Sequence, residues 1–328
     1  MDVVSLFDGI SCARVALDLA GVEVKSYTAV EIEKNASAIS KKNYPDIIRH
    51  TDVRTFTTSN RVDLLIGGSP CQDLSIAKKD RKGLSGDRSG LFWEFVRIKK
   101  ECNPKWFVLE NVASMPKADK DIITREMGVE PVMFNASLVS AQSRKRLFWT
   151  NIKFNLPVDR GILLKDILQA DVDEKFYFNG KIGSSQANRV RDFSGKSSTL
   201  SANGGGAGAK TGLYCVGAVE GTIRKGMEGQ EHLSRAHRDG NRIYDPDGKA
   251  PTLSANGGNA AGSSALIKNE ARIRKLTPIE CERLQGLPDN YTEGIPMTHR
   301  YKCLGNAFNT EVIAHIIRGA LTPNYVPS

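Results

Sequence analysis

The sequence predicts an α/β protein: a parallel sheet with crossover helices, joined to a smaller β-rich domain. Three observations carry this. Residues 1 to about 152 alternate short apolar runs with segments of helical periodicity, the pattern of strands joined by crossover helices. From about 165 to 270 the chain turns polar, glycine-rich and weakly periodic, and after 272 regular spacing returns. With 328 residues the chain can bury a real core in two domains or one enlarged one.

The elements follow in order. VVSL (3–6) reads as the first strand and runs into FDGIS. Ala13, Ala16, Leu17 and Ala20 then share one helix face, and Gly21 can end that helix. YTAVE (27–31) is the second strand, EKNASAISKKNY (33–44) a helix, IIRHTDV (47–53) a third strand edge and VDLLIGG (62–68) the fourth strand. A helix near 90–102 precedes three further strands, WFVLENV (106–112), VMFNASLV (132–139) and RLFWTNI (146–152). Near the end, Thr277-Pro278 and Gly286 are start and stop signals for a helix. AFNTEVIAHIIRGAL (307–321) is an apolar helix expected to return to the first domain's sheet.

Composition excludes several classes. No run of about 18 apolar residues appears, and the N-terminus lacks the pattern of a secretory signal, so a soluble, unprocessed protein is expected. The six cysteines (12, 71, 102, 215, 281 and 303) form no CxxC pair and have no histidines at ligand spacing, which argues against a metal site or disulfide framework and for a reducing compartment. The net charge of +9 favours a polyanionic partner. It is concentrated: residues 181–275 hold fifteen Lys/Arg against eight Asp/Glu. The same region repeats itself, since GKSSTLSANGG (195–205) resembles GKAPTLSANGG (248–258). Two copies are too few for a solenoid. They read either as paired strand-turn elements or as a two-part nucleic-acid-reading surface.

In such sheets ligands sit at the carboxyl ends of strands. The apolar runs end at Phe7-Asp8-Gly9, Glu31, Asp52, Ser69-Pro70-Cys71 and Glu110-Asn111. Carboxylates at successive strand ends suit the hydroxyls and amino group of a nucleoside. Pro70 restricts Ser69 to extended geometry and leaves the Cys71 thiol accessible, a nucleophile if neighbouring charge lowers its pKa. A cysteine after a strand is more often buried filler. Glu110 ends a strongly apolar strand, either as a working acid or as an ion-paired structural residue. Arg144 and Arg146 alternate, so an extended segment would project both from one face, as a base or phosphate contact or as a solvated edge.

Taken in order along nearly the whole chain, FDGIS, Glu31, Asp52-Val53, GGSPCQDLS (67–75), Glu110-Asn111-Val112, QSRKR (142–146), the TLSA elements, RKLTPIECERLQGLPDNY (274–291) and GNA (305–307) resemble the C5-cytosine DNA methyltransferases of bacterial and phage type. GGSPCQDLS also looks like the animal de novo branch. The resemblance implies a Rossmann-like S-adenosylmethionine-dependent methyltransferase sheet (1–165), a β-rich target-recognition domain (166–271) and a C-terminal segment returning to the catalytic domain (272–328). It implies that Cys71 adds to C6 of a flipped cytosine, that Glu110 holds the N3 edge, and that Arg146, with Arg144, contacts the base and the adduct. Phe7, Asp8, Gly9, Ile10, Glu31, Ile32, Asp52, Val53, Pro70, Leu91, Asn306 and Ala307 would line the site of S-adenosyl-L-methionine, with Glu31 on the ribose and Asp52 near the adenine, and S-adenosyl-L-homocysteine would be the product. Ser75, Arg81, Lys82, Arg242, Thr252 and Thr199 would contact double-stranded DNA, Thr252 matching the family's recognition segment best. A monomer in a bacterial or phage-infected cytoplasm, with no metal, is the expectation.

Many family members carry a second glycine in the first turn where this chain has Ser11-Cys12. Three other readings stay open at this point. The transfer-RNA branch of the family carries a Cys-Phe-Thr element that is missing here. A binding protein on a dead methyltransferase fold would lack Cys71 or Glu110, and both are present. A nicotinamide oxidoreductase would show GxGxxG in the first turn, which this chain does not.

Overall fold

The computed structural model describes residues 1–59, 61–70, 89–176, 190–192, 197, 213–216, 225–226, 230–232, 242–244 and 272–321, with the backbone alone for the strands between 190 and 244. The chain divides into two compact units. One contains Met1–Asn135, Lys145–Val158 and the residues from Ala307 onward; the other contains Ala136–Arg144 and Asp159–Asn306.

In the first unit β1 (Asp2–Leu6), β2 (Ser26–Val30), β3 (Ile48–His50), β4 (Leu64–Gly68), β5 (Trp106–Val112), β6 (Val132–Asn135) and β7 (Lys145–Thr150) form one sheet of order β3-β2-β1-β4-β5-β7-β6. β1 to β5 run parallel. β7 is antiparallel to both its neighbours, so the sheet is mixed and not parallel throughout as expected. The reason is length. Only residues 136–144, including a short 3-10 turn at Ala136–Leu138, join β6 to β7, whereas a parallel crossover needs about a dozen residues or more. That turn also ends β6 at Asn135, four residues before the apolar run stops.

The helices are α1 (Cys12–Leu19), α2 (Lys34–Asn43), α3 (Phe92–Cys102) and α4 (Lys117–Met127) in this unit, α5 (Pro278–Leu284) and α6 (Met297–Asn306) in the other, and α7 (Thr310–Leu321) again in this one. Strand alternation sends Val4, Leu6, Leu65, Phe107 and Leu109 into a core with Phe92, Phe95 and Ile98 of α3 and Ile123 and Met127 of α4. Val3, Leu64, Ile66 and Val108 point the other way and are buried too. Both faces are therefore covered, as parallel strands require. On α1 the predicted stripe is real: Ala13, Ala16 and Leu17 are fully buried, α7 packs against the helix, and Gly21 turns away at φ 73°. The strand order reverses between β1 and β4, which makes their carboxyl ends the crevice where ligands bind in doubly wound sheets.

The second unit holds β8 (Val190–Asp192), β9 (Leu213–Val216), β10 (Lys225–Gly226), β11 (Gln230–His232), β12 (Arg242–Tyr244) and β13 (Arg272–Lys275), as sheets β10-β11-β12 and β13-β9-β8. β9 and β13 are antiparallel, with Val216 directly opposite Arg272. β8 and β12 occupy equivalent places in the duplication, since NRVRD (188–192) precedes the first GK…TLSANGG and NRIYD (241–245) the second, and the two strands lie against each other. α5 starts as its signals predict: Thr277 Oγ1 accepts from the Glu280 amide at 3.2 Å, the Glu280 carboxylate accepts from the Thr277 amide at 2.8 Å, Pro278 is the first helical residue and Gly286 has φ 73°. Buried Glu280 also takes two bonds of 2.7 Å from Arg274, so the charge is neutralised within its own segment. Among the described residues no helix is long and apolar enough to cross a membrane, and no three His, Cys, Asp or Glu side chains cluster as metal ligands.

Candidate active site

At the end of β1 the chain turns through three left-handed residues in five, Phe7 (φ 57°), Gly9 (φ 62°) and Ser11 (φ 61°). For Phe7 and Ser11 that conformation costs about 1–2 kcal/mol each. Strain of this kind gathers at functional sites. The turn lifts the Gly9 amide onto Glu31 Oε2 at 2.8 Å, while the Glu33 amide donates to Oε1 at 2.7 Å. Burial pushes the Glu31 carboxyl above its ordinary value, and the two amide bonds pull it partly back. Beside it Ile32 is 69% exposed, an apolar surface next to a fixed carboxylate. At the end of β3, Asp52 is clamped by the Arg54 guanidinium (2.7–3.1 Å) and amide, which hold its pKa at about 2.

Asp8 and Ile10 face inward, 4% and 1% exposed. Asp8 Oδ1 accepts from Tyr27 OH and Oδ2 from Ser11 Oγ, both at 2.6 Å. Val53 is buried as well. These three of the expected cofactor-lining residues are thus buried within the protein itself.

β4 explains its own glycines. A Cβ on Gly67 would lie 2.7 Å from the Leu6 carbonyl oxygen, and one on Gly68 would lie 2.7 Å from Phe308 Cε1 and 3.0 Å from Glu110 Oε2. Gly68 is the register partner of Glu110 in β5. After Gly68 comes the Ser69-Pro70 corner, where the Asn111 side chain donates from Nδ2 to Ser69 Oγ (3.1 Å) and Ser69 O (3.3 Å). The residue that follows Glu110 thus ties down the lead-in to Cys71. Cys71, Ser75, Arg81, Lys82, Thr199 and Thr252 lie outside the described residues, and Arg242 opens β12 with only its backbone described.

Glu110 has the partner that its position demands. Arg146 Nε donates to Glu110 Oε1 at 2.8 Å, with both side chains under 15% exposed. Glu110 is opposite Phe148 and Arg146 opposite Val112, so the pair is diagonal across β5 and β7 on one face. Arg144 does not join it. It precedes β7, is buried, and its guanidinium nitrogens approach the Gly305 carbonyl at 3.4 Å, so the two arginines aim at different partners. Leu91 leads into α3 half-buried, Asn306 ends α6 exposed, and Ala307 is buried.

Sequence reasoning gave no role to Asn111, Tyr27, Ser40 or Arg49, all of which brace these strand ends. The signal for Asn111 is its place directly after Glu110 in the Glu110-Asn111-Val112 motif. Nothing local marked the other three.

Carboxylates at the ends of β2 and β3, both on the β1 side of the reversal of strand order, fit the class of Rossmann-like α/β enzymes. Comparison with known proteins narrows it. The family described as C-5 cytosine-specific DNA methylase matches residues 1–321. The type II methyltransferase M.HhaI of Haemophilus parahaemolyticus is 26% identical over 335 residues, spanning 95% of this chain and 92% of that protein. M.Sau3AI of Staphylococcus aureus, also a type II methyltransferase, is 25% identical over 339 residues, or 83% and 80%. The solved Entamoeba histolytica methyltransferase EhMeth superimposes with a TM-score of 0.68 over 97% of this chain and 96% of that one, a likeness of fold at 14% identity. This chain belongs to the C-5 cytosine-specific DNA methylase family, whose enzyme class is DNA (cytosine-5-)-methyltransferase.

Proposed function

We propose that the enzyme transfers the methyl group of S-adenosyl-L-methionine to C5 of a cytosine flipped out of double-stranded DNA, through a covalent bond between Cys71 and C6. One observation carries this reading: Gly68 and Glu110 are register partners, and Asn111 holds the corner from which Cys71 follows. The residues around the first turn fit the cofactor. Glu31 receives one amide on each oxygen and keeps lone pairs for two ribose hydroxyls, with exposed Ile32 beside it and Asp52 on the next strand.

A cytosine stacked in a duplex does not expose C6, so the base must leave the stack. The Cys71 thiolate then adds to C6, and Glu110 holds the N3 edge and its proton, so that electron density gathers at C5. Arg146 keeps the Glu110 carboxylate oriented through its 2.8 Å bond and neutralises it in a largely buried place. The bound cofactor supplies an electrophilic methyl group. C5 takes that methyl, loses its proton to a base, and the electron pair of the broken C–H bond expels the Cys71 thiolate. The products are 5-methylcytosine and S-adenosyl-L-homocysteine. Ser75, Arg81, Lys82, Arg242, Thr252 and Thr199 are the DNA contacts in this reading, and the chain acts as a monomer in the cytoplasm of a bacterium or of a phage-infected cell. Type II relatives suit a restriction-modification setting.

The test is transfer of labelled methyl to duplex DNA by the wild type and by Cys71→Ser. The expected outcome is incorporation that Cys71→Ser abolishes; retained transfer overturns the covalent route.

A further inference from the structure

Ser11 lies in the first turn, directly before α1, and neither ordinary reason for a serine there holds. The first would be capping. Serine is favoured before a helix because its hydroxyl accepts from the first helical amides, yet Ser11 precedes α1 and makes no side-chain cap bond. The second would be conformational ease. At φ 61° Ser11 occupies the left-handed region, which glycine enters freely and serine does not. A residue that is fully buried, strained and not capping has some other use for its hydroxyl.

That use is visible. Ser11 Oγ lies 2.6 Å from Asp8 Oδ2 and 2.7 Å from Ser40 Oγ. Its single proton goes to the carboxylate, so Ser40 donates to Ser11. Arg49 Nη2 in turn donates to Ser40 Oγ at 3.0 Å. A directed chain of hydrogen bonds runs from the guanidinium on β3 through a hydroxyl on α2 and a hydroxyl before α1 to the carboxylate in the β1 turn, and Tyr27 on β2 closes it from the other side at 2.6 Å. Asp8 sits between Phe7 and Gly9, two of the three left-handed residues, and Gly9 carries the amide that fixes Glu31.

We propose that Ser11 is a positioning residue for the cofactor: its hydroxyl latches Asp8, and the latched turn keeps the Gly9 amide on Glu31. This rests on the reading that Glu31 holds the cofactor's ribose. This chain holds the turn's shape by a side-chain bond from Ser11 to a buried carboxylate.

Ser11→Gly and Ser11→Ala separate the two roles, because glycine removes the strain and both remove the hydroxyl. Calorimetric titration of the full chain with S-adenosyl-L-methionine should show both variants weakened roughly ten-fold, the factor that ~1.4 kcal/mol gives. KM for the cofactor should rise in step while kcat at saturation stays near wild type. Ser40→Ala, which cuts the chain one step away from the strained turn, should weaken binding in the same direction by a smaller factor even if the Ser11 variants fail to fold. Wild-type affinity in Ser11→Gly, or in Ser40→Ala, overturns the proposal alone. A wild type that binds no S-adenosyl-L-methionine overturns both this and the reading beneath it.

Discussion

Arg146 and Glu110 meet diagonally across two antiparallel strands, Nε to Oε1 at 2.8 Å, in a setting where neither charge has much water. Truncating one partner leaves the other uncompensated, which is worse than losing both. Glu110→Gln keeps the shape and removes the acid. It should lower kcat by roughly 10²–10⁴, the range for loss of a positioned proton donor, with cofactor affinity unchanged. Arg146→Leu should also cut kcat and should lower the melting temperature more than Glu110→Gln does, because it strands a carboxylate with no donor, whereas the glutamine amide still offers Arg146 an oxygen to donate to. Steady-state kinetics and thermal unfolding of the two variants check this, and equal melting temperatures would refute the uncompensated-charge argument.

Gly68 is the other neighbour of that carboxylate. An added methyl group meets Phe308 at 2.7 Å and Glu110 Oε2 at 3.0 Å, and the phenyl ring is packed below 10% exposure. Gly68→Ala should therefore destabilise the protein by about 1–3 kcal/mol, as overpacking does, and also displace Glu110. Phe308→Leu added to Gly68→Ala should return part of the stability but little of the activity. Recovery of both together would show that Phe308 alone feels the change.

What was legible in the sequence was whatever depends on local pattern. Apolar runs mark where β1, β2 and β4 end, so Glu31 and Ser69-Pro70 follow their strands as the sequence suggests, whereas β5 continues past Glu110 to Val112. Thr277, Glu280 and Gly286 announced α5 because a cap is a contact between near neighbours. α4 was missed because KADKDIITREM buries only Ile123 and Met127, too thin a stripe to stand out. The reversal of β7 depends on the length of a connection and not on the strand's own residues. The Arg49, Ser40 and Ser11 chain and the Asn111 tie to Ser69 join side chains from different elements, and no periodicity encodes such contacts.

Glu31 makes cofactor binding sensitive to pH. Only the ionised carboxyl accepts two ribose hydroxyls, and burial holds its pKa above the ordinary value of 4.5. Affinity should thus fall on acidification through the raised pKa, beginning at milder acidity than an unperturbed glutamate would give. The stability of the free protein runs the other way. A carboxyl with a raised folded-state pKa contributes stability that is fully present below the unfolded value and lost as pH rises through the folded one. Titrations with S-adenosyl-L-methionine from about pH 5 to 8 should show wild-type affinity rising to a plateau, and Glu31→Gln binding weakly with a flat profile. A pH-independent wild type would remove Glu31 from the ribose.

The duplicated TLSANGG element can be tested by taking one copy away. Val216 and Arg272 face each other in the β9–β13 pair, so the 217–271 stretch, with the second copy inside it, leaves and rejoins the sheet at directly opposed positions. A two-residue Asn-Gly turn connects such a pair with the right twist. The first copy keeps its anchors, since Ser197 bonds to the backbone of Ala141 and Ser143 at 2.7 and 2.9 Å. It also keeps the charge: residues 181–216 carry five Lys/Arg and one Asp, whereas 217–271 carry seven of each sign. Phosphate attraction should therefore survive the deletion. Replacing 217–271 by Asn-Gly should leave cofactor binding and methyl transfer to DNA in place while changing which cytosines are modified, read by sequencing that separates cytosine from 5-methylcytosine. An unchanged target would mean that the second copy reads nothing, and loss of cofactor binding would mean that the stretch is structural and not an added reader.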